Sequence, residues 1–574
     1  MAQGSPGRYL CKWLGCAEAG RFAYIPSVIE TTARRVFAAL GRRPGLLAGL
    51  TLALALPVLL LNLGRMPLLV DEPIRALVAL EMHYSGHFFQ PTLQGLPYYN
   101  KPPLFNWLLI ALFRLTGRQD EFILRLPTVA ALLLYAAAIW RVLRPRLGSK
   151  VAFTVALAFA TTGRVLFYDS FFGLIDLWHA GLTWLGFMAI WHYGERGQWL
   201  RLFVVTYLLT AVGFLLKGLP SIVFQGIALL VYCLSTRQWR RLFGWQHVLG
   251  GLVLLAVLGT YFLIYSRHNS LDIAFKTLWS QSSQRTVAAQ PLADSVRYVL
   301  LFPFDFIKHF LPWTLLLVCL LRPALRAAVW QQPFLRYNTL LFLAILPVYW
   351  LSPATIPRYL FMLVPLLLAV LVPLYYQLQA ARGWPARWLD ALLLLLLLAC
   401  SLLVLVAPLI HIVPHATHTS LPVGSIVAGA WGWSIGLFAG LLLLAYLFWK
   451  LIDYRLLVLG YFLLVLRLAF DVFVFPARLQ TSPEIAYRTT GIRIGRETKG
   501  RPLVVLPHSH LDDVEAFYIT RERGQTLLTD SLPGRPGRLY LGQAAQLAGQ
   551  PCRTIDEFVI DGGLRFRLVE FTKK

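Results

Sequence analysis

Long apolar runs alternate with short polar connections along most of the chain. A run of roughly 17 to 25 mainly apolar residues is long enough to cross the hydrocarbon core of a bilayer as a helix. The pattern therefore predicts an α-helical polytopic membrane protein with about 13 transmembrane helices. The expected spans lie near residues 45–64, 122–142, 150–167, 173–192, 201–217, 219–235, 246–266, 299–321, 338–352, 357–377, 388–409, 425–449 and 456–475.

The connections between these runs differ in charge. Arg and Lys are concentrated in alternate connections, namely 141–150, 195–201, 237–241, 322–336 and 382–387. By the positive-inside rule these connections lie in the cytoplasm, as do Arg42 and Arg43 ahead of the first span. The other connections, and the segment after the last span, are then expected on the outer face. Those outer connections are 65–121, 168–172, the junction at 218, 267–298, 353–356 and 410–424.

The outer connection 65–121 has a pattern of its own. Ile74, Leu77, Val78 and Met82 recur at helical spacing, and a second apolar stretch covers 104–115. Both stretches are too short or too amphipathic to span a bilayer. They predict amphipathic helices that lie on the outer membrane surface.

The C-terminal segment differs in composition from the rest. Short apolar runs alternate with polar ones near 502–506, 538–541 and 557–560, a pattern typical of a small α/β domain. The expected organisation has three parts. They are a cytoplasmic N-terminal segment at 1–44, a transmembrane domain at 45–475 and a periplasmic C-terminal domain at 476–574.

Composition supports the membrane assignment. Hydrophobic residues make up 57% of the chain and the mean hydropathy is +0.62, which excludes an ordinary soluble globule. The formal net charge of +26 would suggest a nucleic-acid partner in a soluble protein. Here the basic residues fall in short connections and indicate topology and contact with membrane lipids, so no nucleic acid is expected.

The six cysteines are scattered and predict neither a disulfide framework nor a metal site. The long mixed segment before the first span favours an uncleaved signal-anchor.

Conspicuous polar residues gather at the outer ends of the spans. They are Asp71, Glu72, Lys101, Arg125, Asp169, Asp176, Lys217, Arg358 and Tyr359. Singly, most have ordinary explanations: Asp71 suits a helix cap ahead of Pro73, and a basic residue at a helix end reaches toward headgroups. Asp176 needs a partner or a cavity because it opens a span. Together these residues predict a shared cavity of acids and cations at the outer membrane face.

Such a cavity suits transfer from a lipid phosphate. The lipid chain would lie among the spans, and Lys101, Lys217 and Arg358 would bind the phosphate through charge-assisted hydrogen bonds. A nearby acid would accept a proton from an attacking hydroxyl. A phosphate leaving group needs no general acid, because cations stabilise its charge.

Seven motifs in this order resemble those of one family. They are Asp71-Glu72, the Tyr98-Tyr-Asn-Lys101-Pro-Pro103 loop, Arg125-Leu-Pro127, Leu-Ile-Asp176, Lys217-Gly-Leu-Pro220, Phe310-Leu-Pro-Trp313 and Pro357-Arg358-Tyr359. They cover roughly residues 45–380, and together they are far more specific than any one alone. The chain resembles the GT-C superfamily of integral membrane glycosyltransferases, in the ArnT and protein O-mannosyltransferase branch.

This resemblance implies a GT-C fold in the bacterial inner membrane and inverting sugar transfer from undecaprenyl or a similar polyprenyl phosphate at the periplasmic face. It implies Asp71 as catalytic base and Asp176 as a second acid that orients acceptor or sugar. Lys101, Arg358 and Tyr359 would hold the lipid phosphate. The further substrate-binding candidates are Glu72, Arg125, Asp169 and Lys217.

Two further points concern a metal ion and the identity of the acceptor. The residue before the loop lysine is often acidic in the ArnT branch, whereas here it is Asn100, so no metal and no other cofactor is assigned. A lipid A-type glycolipid is the favoured acceptor, on the analogy of span count and tail arrangement. Transfer to Ser or Thr of proteins stays open, as does a transporter of lipid-linked sugars that performs no catalysis.

Overall fold

The computed structural model describes residues 16–283, 292–353, 355–381, 383–411, 423–531, 535–560 and 563–571. The expected N-terminal segment and the connections 267–298 and 410–424 therefore lie partly outside the described residues. The α-helices are α1 Cys16–Arg42, α2 Pro44–Leu60, α3 Glu72–Ser85, α4 Leu104–Thr116, α5 Glu121–Leu147, α6 Ser149–Ala160, α7 Gly163–Phe167, α8 Asp176–Gly194, α9 Trp199–Lys217, α10 Pro220–Ser235, α11 Trp245–Tyr265, α12 Leu271–Ser283, α13 Leu292–His309, α14 Pro323–Gln331, α15 Pro333–Trp350, α16 Val364–Ala380, α17 Trp384–Val406, α18 Val423–Lys450, α19 Arg455–Ala469, α20 Phe475–Thr481, α21 Glu484–Glu497 and α22 Asp513–Arg523.

These helices form a multi-pass membrane bundle. Within the described ranges, six helices are long and apolar enough to cross a membrane, or nine when each of three sharply bent helix pairs counts as one span. Shorter apolar helices, α10 and α16 among them, also coincide with expected spans. The larger total expected from sequence includes these shorter helices and stays a prediction.

Two expected spans, 150–167 and 299–321, are not continuous, and the first of them bends by 47° between α6 and α7. Helix α13 ends at His309, and a 3-10 helix at Trp313–Leu321 turns away from it by 115°. Pro312 between them has no N–H to continue the helical hydrogen bonds. The segment between α13 and the 3-10 helix contacts the break between α6 and α7. The Gly163 N–H donates to the Leu311 carbonyl at 2.8 Å, and Trp313 Nε1 donates to Thr161 Oγ1 at 3.1 Å. Two interrupted helices therefore support each other.

The basic connections gather at one end of the bundle. Arg146 forms an ion pair with Glu195, which joins two connections that the charge pattern groups together. The Lys150 ammonium lies over the rings of Tyr376 and Tyr454, at 4.9 and 4.5 Å. We refer to this end as the basic end, and the polar residues singled out above lie at the opposite one.

The segment 65–121 forms the two expected helices, α3 and α4, and a short hairpin between them. The hairpin pairs β1 Thr92–Leu93 with β2 Leu96–Pro97 in antiparallel register. Helix α3 differs from the expected surface helix because its charged residues Arg75 and Glu81 are buried. Burial raises the pKa of Glu81 to about 7, although Thr92 Oγ1 and the Gly95 N–H donate to its carboxylate.

The C-terminal segment covers this helix. Its sheet has five strands in the order β4-β3-β5-β7-β6, with β3 parallel to β4 and β5, and the others antiparallel. The strands are β3 Leu503–Val505, β4 Leu528–Thr529, β5 Leu539–Gln543, β6 Cys552–Ile560 and β7 Leu564–Phe571. Helix α22 packs on α3, and one hydrophobic cluster contains residues of both. The expected α/β fold is confirmed, and it shares a core with the outer connection.

Candidate active site

A strained turn presents Asp71 at the start of α3. Val70, a β-branched residue, has a φ of +60°, a left-handed conformation that such residues rarely adopt. Asp71 occupies the cap position of α3, yet its side chain makes no capping hydrogen bond. The simplest structural explanation of this acid, that it satisfies the helix N-terminus, is therefore wrong for its side chain.

An ion pair between Glu72 and Arg125 fixes the turn that precedes α3. Arg125 Nε and Nη2 donate to the Glu72 carboxylate at 2.8 and 2.9 Å. The same guanidinium donates to the carbonyls of Leu63, Met66 and Pro67 at 2.7 to 2.9 Å. Glu72 also accepts from the Leu69 and Gly173 N–H groups. All five guanidinium donors are thus used within the protein.

Four of the other charged candidates form an alternating chain of acids and cations, in the order Asp71, Arg358, Asp176 and Lys217. Arg358 Nη2 donates to Asp71, and Arg358 Nε lies 3.3 Å from Asp176 Oδ2. Lys217 Nζ donates to Asp176 Oδ1 at 2.5 Å. The Arg358 side chain is only 2% exposed, whereas that of Asp71 is 50% exposed. Asp71 is therefore the member of this group that faces the open side.

Lys217, at one end of this charge chain, lines a cavity of about 470 Å³. Lys101, Lys217 and Tyr359 line one part of it, and the Lys217 ammonium lies 4.0 Å from the centre of the Tyr359 ring. The rest of the lining is mainly apolar and includes Phe224 and Trp279. Cations at one side of an apolar cavity match the two parts of a lipid phosphate.

Asp169 belongs to a different pair. It is buried and accepts from Arg164 Nε, and its Oδ1 has no hydrogen-bond partner among the described residues. The Arg164 guanidinium also lies over the Tyr168 ring, 3.8 Å from its centre. The structure thus places this acid beside Arg164 and not in the chain of Asp71, Arg358, Asp176 and Lys217.

Two partners in this region were not predicted from sequence. Arg164 lies in a run treated simply as a span, although a cation there needs a counter-charge. His179 is buried and shares a 3.0 Å hydrogen bond with Ser221 Oγ. Its position three residues after Asp176 puts both on one face of α8, which is a usable signal. Across the described ranges, no three His, Cys, Asp or Glu side chains are grouped as a metal site would require.

The fold and parts of the sequence match known proteins. A family model described as dolichyl-phosphate-mannose-protein mannosyltransferase matches residues 100–265. The crystal structure of ArnT from Cupriavidus metallidurans bound to undecaprenyl phosphate superposes with a TM-score of 0.66 at 20% identity. The match covers 90% of this chain and 97% of that one.

This chain has the ArnT fold. Its expected resemblance to GT-C membrane glycosyltransferases of the ArnT and protein O-mannosyltransferase branch is confirmed.

The curated relatives of this ArnT-like chain are named undecaprenyl phosphate-alpha-4-amino-4-deoxy-L-arabinose arabinosyl transferases. The protein of Pseudomonas paraeruginosa is 27% identical over 376 residues, which are 63% of this chain and 65% of that protein. The one of Proteus mirabilis is 24% identical over 282 residues, 47% of this chain and 49% of the relative. The chain therefore matches between about half and a little less than two thirds of the length of these two relatives.

Proposed function

We propose that the chain is an inverting glycosyltransferase that moves a sugar from a polyprenyl phosphate, such as undecaprenyl phosphate, to an acceptor at the outer membrane face. The observation that carries this proposal is the charge chain of Asp71, Arg358, Asp176 and Lys217 beside a largely apolar cavity. The names of the ArnT-like relatives support the same donor class.

The proposed reaction is a single displacement. The acceptor oxygen attacks the anomeric carbon as the bond to the donor phosphate breaks, and the bonding electrons stay with the phosphate oxygen. Asp71 is the proposed base because it is the exposed acid of the charge chain and its side chain makes no capping hydrogen bond to α3. Lys101, Lys217 and Arg358 would stabilise the leaving phosphate, and Tyr359 would support Lys217.

Asp176 has a different proposed part. It is buried between Lys217 and Arg358, so its charge holds both cations in place, and Lys217 lines the cavity. The resemblance also assigns it to orienting the acceptor or sugar. Glu72 and Arg125 are reassigned from substrate binding to positioning, because the protein itself uses their hydrogen-bonding groups. Asp169, paired with Arg164, is likewise a positioning candidate.

The proposed acceptor is a lipid A-type glycolipid in a bacterial inner membrane, with the site on the periplasmic side. The relatives named as arabinosyl transferases and the fold shared with ArnT support this choice. The family model described as a protein mannosyltransferase keeps Ser or Thr hydroxyls as the second candidate acceptor. Mass analysis of lipid A and secreted proteins from a deletion strain separates the two, because only the true acceptor loses its sugar.

The catalytic test uses purified protein, a radiolabelled polyprenyl-phosphate sugar and both acceptor classes. Asp71→Asn should lower the transfer rate by roughly 100-fold or more, the range expected for loss of a general base. Asp305→Asn is the matched control, because Asp305 is also 50% exposed and paired with a cation. Unimpaired transfer by Asp71→Asn would remove it as the base. Movement of the donor across vesicles without any transfer would favour the transporter.

A further inference from the structure

A second cavity, of about 710 Å³, lies at the basic end of the bundle. Its lining comes from the last turn of α16, the start of α17, the end of α18 and the start of α19. Helix α16 begins near Arg358 and runs for 17 residues, which is about 25 Å at 1.5 Å per residue. The two cavities therefore lie nearly one hydrocarbon thickness apart and are separate sites.

The floor of this cavity is a closed polar network. Asp390 accepts from the Tyr375 hydroxyl at 2.7 Å and from Gln379 Nε2 at 2.8 Å, and it pairs with Arg455. Arg455 Nε also donates to the Phe448 carbonyl at 3.0 Å. The two charges of this pair cancel, and their positions are fixed by neutral partners. The pair shapes the cavity but offers no net charge to a ligand.

Two further charges line the same cavity and remain available. Arg387 and Asp453 are both exposed, on α17 and just before α19. Within the ranges that the structure describes, neither side chain has a hydrogen bond or an ion pair. The lining side chains that are available are therefore one cation and one anion, and the Lys150 ammonium over the Tyr376 ring also acts on Asp453. A purely anionic ligand would favour an excess of cations, which this lining lacks.

The surroundings place the cavity at headgroup depth. Trp384 and Trp388, at the start of α17, are exposed, as is Trp449, which lines the cavity. Exposed tryptophans are enriched where hydrocarbon meets headgroups, because the ring is apolar and its N–H is a donor. The basic connections lie at this same end, which the positive-inside rule assigns to the cytoplasm.

We propose that this cavity binds the headgroup of a zwitterionic aminophospholipid from that leaflet, with its phosphate on Arg387 and its primary ammonium on Asp453. One cation and one anion match the two charges of such a headgroup. The volume lies within the range of small-ligand sites. A bound lipid would join the ends of four helices, including α16, whose opposite end adjoins the active site. This proposal does not depend on the proposed function.

The test measures lipid binding to delipidated protein in detergent by native mass spectrometry. The probes are phosphatidylethanolamine, phosphatidylglycerol and phosphatidylcholine with identical acyl chains. The parent should bind phosphatidylethanolamine in preference to both others. Arg387→Gln should weaken this binding by roughly tenfold, the size expected for one charge-assisted contact. Arg144→Gln is the matched control, because Arg144 is exposed at the same end outside the cavity.

Asp453→Asn tests the proposed contact with the ammonium, because it should change which lipid is preferred. It removes the partner of the ammonium and leaves Arg387, so the preference should shift from phosphatidylethanolamine toward phosphatidylglycerol. Soluble phosphoethanolamine is the last probe, and it should bind far more weakly than the lipid. Three results would overturn the proposal: a parent that prefers phosphatidylglycerol, an Arg387→Gln variant that behaves as Arg144→Gln does, or soluble phosphoethanolamine that binds as tightly as the lipid. Both substituted residues are exposed, and size-exclusion profiles check that the variants are folded.

Discussion

Neighbouring acids, Asp71 and Glu72, each pair with an arginine and differ in almost everything else. Glu72 and Arg125 are 2% and 1% exposed, and every donor of that arginine is used by the protein. Asp71 is half-exposed, and its partner Arg358 also reaches a second acid, Asp176. The first pair fixes a turn, and the second is linked through Asp176 to Lys217, which lines the cavity of about 470 Å³. Exposure of the carboxylate, and not its pairing with an arginine, therefore marks Asp71 as the candidate reactive group.

The largest expected effect on stability comes from breaking the buried ion pair between Glu72 and Arg125. Arg125→Leu leaves Glu72 buried without its counter-charge, and removal of one partner of a buried pair costs about 3–5 kcal/mol. We expect little folded protein and a strongly lowered thermal midpoint. The double variant Glu72→Gln, Arg125→Met removes both charges and should recover part of the stability. Arg125→Leu with a normal midpoint but reduced donor binding would instead make Arg125 a substrate-binding residue.

Glu81, the other acid of α3, forms no ion pair with a cation in the part of the chain that the structure describes, and this predicts a pH dependence. Its pKa is raised, mainly by burial, from 4.5 to about 7, with Asp513 contributing in the same direction. The folded state therefore binds a proton more tightly than the unfolded chain. The stability gained is complete below pH 4.5 and is lost as pH rises through about 7.

The measurement is the thermal midpoint between pH 5 and 8. Glu81 should contribute a loss of stability on the order of 3 kcal/mol over this range, at about 1.36 kcal/mol per pKa unit. Glu81→Gln should remove that contribution. Glu515, whose pKa burial raises to about 8, titrates with the same sign, so the difference between parent and variant is the relevant quantity. Glu497→Gln, a change at an exposed acid, is the control, and an equal slope in Glu81→Gln and the parent would contradict the prediction.

The periodicity of 65–121 was enough to predict α3 and α4, because apolar spacing is a local property. It was not enough to predict that Arg75 and Glu81 are buried, because the covering helix α22 is more than 400 residues away in sequence. The grouping of Asp71, Asp176, Lys217 and Arg358 was predictable, since topology places all four at one membrane face. The contact of Glu72 with Arg125 was not predictable, because the sequence does not give the direction of a side chain.

An effect of intermediate size on the transfer rate is expected when Arg358 is replaced by a side chain that can contact only one of its two acids. Its Nη2 and Nε contact Asp71 and Asp176 separately, and a lysine ammonium is too compact to contact both. Arg358→Lys keeps the charge but should lower the rate at saturating donor by roughly tenfold to hundredfold through misplaced groups. The thermal midpoint should change little by comparison. Arg493→Lys, in an exposed pair, is the control, and a full rate in Arg358→Lys would show that charge alone suffices.

The smallest expected effect concerns the turn that separates the two pairs. Val70 is exposed, so its side chain contributes little packing, yet its φ of +60° is unfavourable for a β-branched residue. Val70→Gly removes that strain, and we expect a net gain of about 1 kcal/mol after the entropy cost of glycine. Val248→Gly, at an exposed valine of ordinary helix α11, should instead lose about 0.5–1 kcal/mol. Parallel thermal unfolding of the two variants measures the contrast. Equal losses in both would mean that the left-handed turn is not strained, and that Glu72 and Arg125 alone fix the position of Asp71.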